Sequence, residues 1–540
     1  MSSVSLHSRW WQLPIWLMAG LVLMPVLVIF FSWQSAQVDV WQHLIATGLA
    51  RLLNNTLMLM LGVGVMVMLI GVSLAWLTAV CEFPGRRWLD WALVLPLAIP
   101  TYVVAFVALG LMSYSGPVLT LWRSLFGPQA WYPDIRSPLG VILVMGAVLY
   151  PYVYMLARSA FLQQGRSLTD AARSLGLSPW ASFFRVVLPM ARPAIVAGTA
   201  LALMEALADF GAVAVFNYDT FTTAIYKSWF GFFNLQAAAQ LASLLLMFVA
   251  LALVVEQQAR GRGRVHQQNH KRHERIRLAG WRGWFACCYC ALILLLAFVV
   301  PFCQLALWVV KTGFAGLDAR FFQLMKHTFL LGAISAALVA LMALLVAFGQ
   351  RLSPARWIAH VIRLTSLGYA LPGSVLAVGV MMVFTLLDRE VLWPLLRHFL
   401  PSGQVAGQIL LGSVAALIVA YVIRFFSVGL GPVQSGLERI RPQLQEAAQS
   451  LGHSQWQVIR RLYLPMLTPS LMTALILVLV DVMKEMPATL LLRPFGWDTL
   501  SVRVFEMTSE GEWQRAALPA LTLVLVSIIP VILMMRRSRS

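Results

Sequence analysis

Four acidic residues lie inside long apolar stretches of this 540-residue chain, where a charge is costly. Glu205 and Asp209 form one pair, and Asp481 and Glu485 form the other. The i, i+4 spacing would place both members of a pair on one helix face. Carboxylate oxygens bind hard cations, so the acids could guide a cation in transit. Alternatively, they could pair with nearby Lys484 and with backbone donors, and shape a gate without touching substrate.

An internal repeat relates the two pairs, because adding 276 to the number of each acid in the first pair gives an acid of the second. The repeat is clearest between residues 170–195 and 446–471, where 12 of 26 aligned positions are identical. Each copy starts with an acid and two alanines and reaches a glycine four residues after the second alanine. The chain therefore consists of two related halves.

Each copy of this segment predicts a short helix, a turn and a second helix. Gly176 and Gly452 are predicted at the C-terminal cap of the first helix, where a positive φ favours glycine. The second helix is predicted to end at a leucine–proline pair, because the residue before proline avoids the α region. These pairs are Leu188–Pro189 and Leu464–Pro465.

The composition indicates a polytopic, all-α membrane protein. Sixty per cent of the residues are apolar and only 11% are charged, against about 25% charged in soluble proteins. The net charge of +19 does not indicate nucleic-acid binding, because the basic residues concentrate in alternate loops, as in membrane proteins. The five cysteines form no paired framework, and we interpret those in apolar stretches as small core residues.

Twelve apolar stretches are long enough to cross a bilayer, which takes about 20 residues. They fall six to each half, and we interpret the first as an uncleaved anchor. Their approximate bounds are 12–33, 55–80, 91–112, 138–161, 191–215, 236–256, 284–310, 327–349, 361–386, 407–430, 468–492 and 514–535.

These stretches divide the chain into a first half, 1–256, a basic linker, 257–283, and a second half, 284–540. Arginines cluster in the linker, in the two repeated segments (162–190 and 438–466) and at the C-terminus. The positive-inside rule assigns all of these to the cytoplasm, together with the N-terminus.

Two prolines inside apolar stretches, Pro100 and Pro372, correspond at an offset of 272. A proline removes a helical hydrogen bond, so both spans are predicted to bend beside a transport pathway. Farther along each half, residues 218–222 resemble 497–501 at an offset of 279.

The repeated segment closely resembles the EAA loop of ABC importer permeases, whose pattern is Glu-Ala-Ala, three residues, Gly and then an apolar-Pro pair. The second copy keeps the glutamate, whereas the first has aspartate. The resemblance implies an ABC type I importer fold in which this loop is a cytoplasmic coupling helix that docks on the ATPase. The residues it assigns to coupling are Asp170, Ala171, Ala172, Gly176, Leu188, Pro189, Glu446, Ala447, Ala448, Gly452, Leu464 and Pro465.

Two further stretches resemble the fused two-half permeases of ferric-iron importers. They are 208–211 with 219–226, and 484–490 with 493–496. Thiamine permeases share the fused layout, and putrescine and phosphonate permeases share the fold. The resemblance thus implies ferric iron as substrate, with these others as alternatives.

The resemblance also implies three partners: a cytoplasmic ATPase dimer, a periplasmic substrate-binding protein and the bacterial inner membrane. The sequence has no Gly-x-x-x-x-Gly-Lys-Ser/Thr loop, so we expect ATP and Mg to bind the partner, and no cofactor to bind this chain. No motif assigns a metal site. Two rivals remain, an ion-coupled secondary transporter, which would also have repeats and intramembrane acids, and an intramembrane enzyme, for which no catalytic constellation is found.

Overall fold

The computed structural model describes residues 10–35, 37–114, 116–174, 176–260, 275–313, 316–352, 355–396 and 408–537. Residues 261–274 of the predicted linker lie outside the described residues, as does Leu175 of the first loop. Up to the linker, the helices are α1 Leu13–Phe31, α2 Val38–Thr47, α3 Leu49–Val80, α4 Arg86–Ala92, α5 Thr101–Met112, α6 Pro117–Phe126, α7 Pro138–Ser174, α8 Pro179–Ser182, α9 Leu188–Ala208, α10 Gly211–Val215, α11 Phe221–Phe230 and α12 Leu235–Arg260.

Thirteen further α-helices follow within the described residues. They are α13 Trp281–Leu294, α14 Val300–Lys311, α15 Ala319–Leu352, α16 Arg356–Thr365, α17 Gly373–Leu387, α18 Trp393–Leu396, α19 Val414–Glu438, α20 Pro442–Ser450, α21 Gln455–Val458, α22 Leu464–Lys484, α23 Pro487–Leu492, α24 Leu500–Ser509 and α25 Trp513–Arg537.

The predicted membrane spans are confirmed. Within the described residues, eleven helical segments are long and apolar enough to cross a bilayer. A bent pair, Trp357–Ala370 with Gly373–Leu396, makes a twelfth when it is counted as one span. Each overlaps one of the twelve stretches predicted from the sequence, so the fold is an all-α polytopic membrane protein.

The bend predicted at Pro372 is confirmed. Pro372 is the N-cap of α17, a 3-10 turn over Ser366–Ala370 precedes it, and the two pieces of the span differ in direction by 111°. Pro100 is likewise the N-cap of α5, after a 3-10 turn over Leu95–Ala98. Pro372 therefore interrupts a span and Pro100 directly precedes one, Thr101–Phe126, while their position beside a transport pathway stays a prediction.

One compact unit contains α1 together with most of the second half, Leu317–Arg503, and with Ile225–Ser243. Its centre is formed by α15, α19 and α22, and α1 packs on α15, α16 and α17. Gly379 permits the close contact between α17 and α1, because a Cβ added at Gly379 would lie 2.9 Å from the Pro25 carbonyl oxygen.

The other compact unit contains Val38–Ala224, the described parts of Leu244–Gly316, and the chain from Val504 onward. Its centre is formed by α3, α7 and α9, with α14 packed on α25. Phe106 stacks between Trp308 and Trp513, at centroid distances of 6.2 and 6.3 Å. The compact units and the two sequence halves are therefore different divisions of the chain.

A short parallel ladder anchors the described end of the linker. Cys81–Glu82, β1, pairs with Ile276–Arg277, β2. The Glu82 carboxylate also forms ion pairs with Arg86, at 3.0 Å, and with Arg275, at 3.7 Å. Backbone pairing and opposite charges thus hold the end of the linker against the chain that follows α3.

Candidate functional site: two loops and two broken spans

Each candidate coupling loop turns at a glycine with left-handed backbone. Gly176 and Gly452 both have a φ of +84°. In the second copy, the Gly452 N–H donates to the Gln449 carbonyl at 2.9 Å, and the His453 N–H donates to the Ala448 carbonyl at 3.1 Å. This pair of bonds is a Schellman motif, which favours glycine at the turn. The predicted glycine caps are confirmed.

The helix before the glycine differs between the copies. In the second copy it is the separate helix α20, which starts at Pro442, and Arg441 is extended with a ψ of 137° because it precedes proline. In the first copy the backbone of Asp170–Ala172 continues the long helix α7. The prediction of a short helix is therefore wrong for the first copy, which has no proline at the matching position.

A serine caps the start of the second loop helix in both copies. The Ser178 hydroxyl accepts the Ala181 N–H at 3.2 Å. In the second copy, the Ser454 hydroxyl accepts the Gln457 N–H at 3.4 Å, and the Gln457 side chain accepts the Ser454 N–H at 3.0 Å. The reciprocal pair is a capping box, which fixes where this helix begins.

The pairs Leu188–Pro189 and Leu464–Pro465 do not end a helix, so that prediction is wrong. A π-turn precedes each pair, over Phe183–Val187 and Ile459–Tyr463. In each turn the leucine N–H donates to a carbonyl five residues back. The wider turn accommodates a proline, which has no N–H to donate and would crowd a regular helical carbonyl.

The second loop helix therefore continues into the membrane-spanning helix. In the first half the helical path runs from Pro179 to Ala208, and in the second from Gln455 to Lys484. At 1.5 Å per residue each path is roughly 45 Å long. In each half, one continuous helical path thus leads from just after the loop glycine to the pair of acids of the same half.

The second loop presents apolar side chains to solvent. Leu451 is 80% exposed and Trp456 is 66% exposed, and both lie next to the glycine turn. Glu446 and Ala447 on α20 are also exposed. Large apolar side chains exposed together on a polar loop are typical of a surface that binds a partner.

Arg351 anchors the second loop to α15. Its guanidinium donates to the carbonyl oxygens of Leu437, at 3.2 Å, and of Ile440, at 2.8 Å. It also lies 5.8 Å from the ring centroid of Tyr463. The Tyr463 hydroxyl in turn donates to the Gln445 side chain at 2.7 Å. These bonds join both helices of the loop to one spanning helix.

An aromatic contact holds the π-turn in each half. The Trp76 ring on α3 meets Phe183 at 4.6 Å, edge to face, and Phe161 at 5.5 Å. At the matching position, offset by 272, Phe348 on α15 meets Tyr463 at 5.4 Å. The π-turns are thus packed against spanning helices in both halves.

The spans that carry the acids are broken at the second acid. Asp209 is the extended C-cap of α9, with a ψ of 125°, and Glu485 is the extended C-cap of α22, with a ψ of 117°. The prediction that each pair lies on one helix face is wrong, because only Glu205 and Asp481 are within the helix. Because the second acid lies outside the helix, its carboxylate turns toward the start of the next short helix.

The Asp209 carboxylate accepts hydrogen bonds from uncharged donors. It accepts a hydrogen bond from the Thr101 hydroxyl, at the start of α5, and one from the Ala212 N–H at 2.7 Å. The Asp209 backbone carbonyl accepts the Thr222 hydroxyl at 2.9 Å. Glu205 lies one turn earlier on α9 and is half-buried.

The Glu485 carboxylate instead forms a buried ion pair. Arg424 Nε lies 3.1 Å from Glu485 Oε2, and the two side chains are only 8% and 6% exposed. The Ala488 N–H also donates to this carboxylate at 3.1 Å, and the Ser501 hydroxyl donates to the Glu485 carbonyl at 3.0 Å. The same backbone framework therefore holds an acid in both halves, with an arginine added in the second.

Lys484, the cation predicted to partner the second pair, meets Asp481 and not Glu485. Its Nζ lies 3.8 Å from the Asp481 carboxylate, and the two side chains are 20% and 33% exposed. The partner of Glu485 is Arg424, which the sequence analysis did not single out. The available signal was a lone arginine in the apolar stretch 407–430, since an ionisable residue in a span is a candidate site by default.

The repeated segments at 218–222 and 497–501 form ion pairs near these breaks. Asp219 pairs with Arg51 at 3.1 Å, and its carbonyl accepts the Asn55 side chain at 2.9 Å. Asp498 pairs with Arg493. That the four acids guide a cation stays a hypothesis. Among the residues that the structure describes, no three His, Cys, Asp or Glu side chains are grouped to hold a metal ion.

Two repeats of one family cover most of the chain. Residues 68–260 and 340–538 each match the family described as binding-protein-dependent transport system inner membrane component. The chain belongs to this family and is a multi-pass inner-membrane permease of the ABC class with two permease units in one polypeptide.

The similar proteins are named for the transport of different substrates. The chain is 29% identical to the Fe(3+)-transport system permease protein FbpB 2 of Haemophilus influenzae, over 90% of both chains. It is 34% identical to the molybdenum transport system permease protein ModB of Escherichia coli, over 27% of this chain and 62% of ModB. It is 37% identical to a probable sulfate transport system permease protein, cysT, of Nephroselmis olivacea, over 27% of this chain and 49% of that protein.

Proposed function

We propose that this permease carries ferric iron from a periplasmic binding protein into the cytoplasm. The observation that supports this most is the end-to-end similarity to a ferric-iron permease, which covers 90% of each chain. The sulfate and molybdenum relatives have higher identity, but each covers only 27% of this chain. The transport of an oxyanion is therefore the alternative that an experiment must separate.

The energy would come from a partner ATPase dimer that binds ATP and Mg. The two loops at 162–190 and 438–466 would dock on it, one to each ATPase subunit. The exposed Leu451 and Trp456 beside the Gly452 turn supply an apolar contact surface for this purpose in the second loop. The chain itself would bind no cofactor.

The orientation follows from the charges. Arginines in the loops at 162–190 and 438–466 support a position of both loops on the cytoplasmic side of a bacterial inner membrane, because the positive-inside rule favours basic loops there. Both chain ends would lie on the same side. A docked binding protein would release its substrate on the opposite side.

The continuous helices suggest how a loop acts on a gate. A movement of the first loop by the ATPase would be carried along Pro179–Ala208 to the break at Asp209, and in the second half along Gln455–Lys484 to the break at Glu485. The breaks would absorb the movement as changes in backbone angle, as hinges do. Alternation between inward-open and outward-open states would follow.

Uptake by proteoliposomes tests the proposal. The permease is reconstituted with its cognate ATPase and binding protein, and is offered radiolabelled ferric iron, molybdate, sulfate, thiamine, putrescine or a phosphonate, with and without ATP. We expect ATP-dependent accumulation of ferric iron alone. An ATPase variant without its phosphate-loop lysine is the matched control. Accumulation of an oxyanion without iron would overturn the iron assignment, and ATP-independent uptake driven by an ion gradient would favour a secondary transporter.

A further inference from the structure

The two broken spans hold their acids with different kinds of partner. Asp209 is held by the Thr101 hydroxyl and a backbone N–H, whereas Glu485 is held by the Arg424 guanidinium and a backbone N–H. The ion pair adds a direct attraction between opposite charges, which an uncharged hydroxyl donor does not supply. A buried ion pair is also hard to separate, because each charge alone would be left in an apolar interior.

Arg424 joins three segments of the second half. Its side chain starts on α19 and pairs with Glu485 at the break after α22. Its Nη1 donates to the Leu371 carbonyl at 2.7 Å, directly before Pro372, where the bent span turns. One guanidinium thus connects the 111° bend before α17 to the break after α22.

Gly373 makes room for this connection. A Cβ added at Gly373 would collide with Glu485 Oε1 and would lie 3.3 Å from Arg424 Nη1. The residue after the matching proline in the first half is Thr101, which lies at an offset of 272. The first half therefore has the Thr101 side chain at this position. In the second half, Gly373 has no side chain, and the Arg424–Glu485 ion pair occupies the space.

We propose that Arg424 is a positioning residue of the transport cycle, which locks the bend at Pro372 to the break at Glu485 so that they move as one piece. The equivalent elements of the first half, joined by Thr101 and Asp209, separate more easily, so the break at Asp209 is the more mobile of the two. The inference rests on the permease role of the chain and not on the identity of its substrate.

The test compares variants of the reconstituted complex by three readouts: melting temperature, ATP hydrolysis stimulated by the binding protein, and uptake of whichever substrate the wild-type complex carries. Arg424→Met leaves Glu485 buried without its cation, so we expect a lower melting temperature and lost uptake. The double variant Arg424→Met with Glu485→Gln removes both charges. We expect it to recover the melting temperature while stimulated hydrolysis and uptake stay reduced about tenfold, the size of a typical coupling between sites.

Arg424→Lys is the conservative variant. An ammonium can keep the ion pair but cannot also reach the Leu371 carbonyl in the same fork geometry, so we expect partial recovery of uptake. Gly373→Ala keeps both charges and disturbs only their approach, and we expect reduced uptake from it as well. Thr101→Val is the matched first-half control, and we expect it to retain more uptake than any of these.

Wild-type uptake in the double variant would overturn the positioning role and leave Arg424 a merely structural residue. An equal loss of uptake in Thr101→Val and Arg424→Lys would overturn the proposed inequality of the two halves. Because stimulated ATP hydrolysis is measured without reference to iron, failure of the ferric-iron assignment would leave these outcomes intact and is recognised separately in the wild-type complex.

Discussion

Arg351 and Tyr463 join the second candidate coupling loop to a spanning helix. The Arg351 guanidinium lies 5.8 Å from the Tyr463 ring centroid, and two of its N–H groups donate to the Leu437 and Ile440 carbonyls. The loop is therefore held at the end of α19 and at its π-turn by one side chain. Under the proposed function, this attachment would transmit a movement of the loop to the membrane-spanning helix.

We predict that Arg351→Met weakens the attachment of this loop. The change removes two hydrogen bonds to carbonyls, each worth about 1.5–3 kcal/mol when the donor is charged. Co-purification of the ATPase and binding-protein-stimulated hydrolysis should both fall. Tyr463→Phe removes one hydrogen bond, to Gln445, and should have a smaller effect. Unchanged ATPase co-purification in Arg351→Met would contradict the anchoring role.

Lys484→Met should be mild, although Lys484 is the cation that the sequence analysis names as a possible partner of the acids. The Lys484–Asp481 contact is 3.8 Å long and partly exposed, and such pairs contribute roughly 0–1 kcal/mol. Thermal unfolding of Lys484→Met beside Arg424→Met measures the difference directly. A larger loss of stability in Lys484→Met would show that Lys484, not Arg424, is the main counter-charge.

The first pair of acids separates the cation-guiding hypothesis from the structural one. We expect Glu205→Gln with Asp209→Asn to lower uptake while stimulated ATP hydrolysis survives, if these carboxylates guide a cation. A purely structural role predicts instead a lower melting temperature or uncoupled hydrolysis, because Asp209 accepts bonds from Thr101 and Ala212. The two outcomes are distinguished by measuring hydrolysis and uptake on the same preparation.

Topology is tested with single cysteines at positions 170 and 446. The five native cysteines are first replaced, which matters because Cys288 and Cys303 are exposed. Both new thiols should be shielded from an impermeant reagent added to intact cells, and should react once the membrane is opened. Labelling of either from outside would reverse the orientation.

The sequence predicts the spans and the repeat well, because both depend on the length and spacing of apolar runs. It predicts the caps at Gly176 and Gly452, since a left-handed turn favours glycine. The breaks at Asp209 and Glu485 were not predicted, because neither residue forbids a helix and their side-chain partners, Thr101 and Arg424, lie far away in sequence. Arg424 was missed for the same reason, as only the fold brings it to Glu485.

The π-turns are a second feature that local rules predict wrongly. The rule that the residue before proline avoids the α region favours a helix end at Leu188 and Leu464. The structure keeps both in helical conformation, with φ near −60°. Packing of Trp76 and Phe348 against the wide turns stabilises the continuous helix, and such tertiary contacts are not visible in a single stretch of sequence.

The central claim, that the two loops couple ATP hydrolysis to the gate, is tested most directly by binding-protein-stimulated ATP hydrolysis in proteoliposomes that contain Gly176→Pro or Gly452→Pro. Proline cannot adopt a φ of +84° and removes an N–H, which Gly452 donates to Gln449. The matched control is Gly431→Ala on α19, an exposed helical glycine with open space around it. We predict loss of stimulation in both proline variants, with the chain still in the membrane, and wild-type stimulation in the control. Full stimulation and uptake in both proline variants would contradict the assignment of these loops.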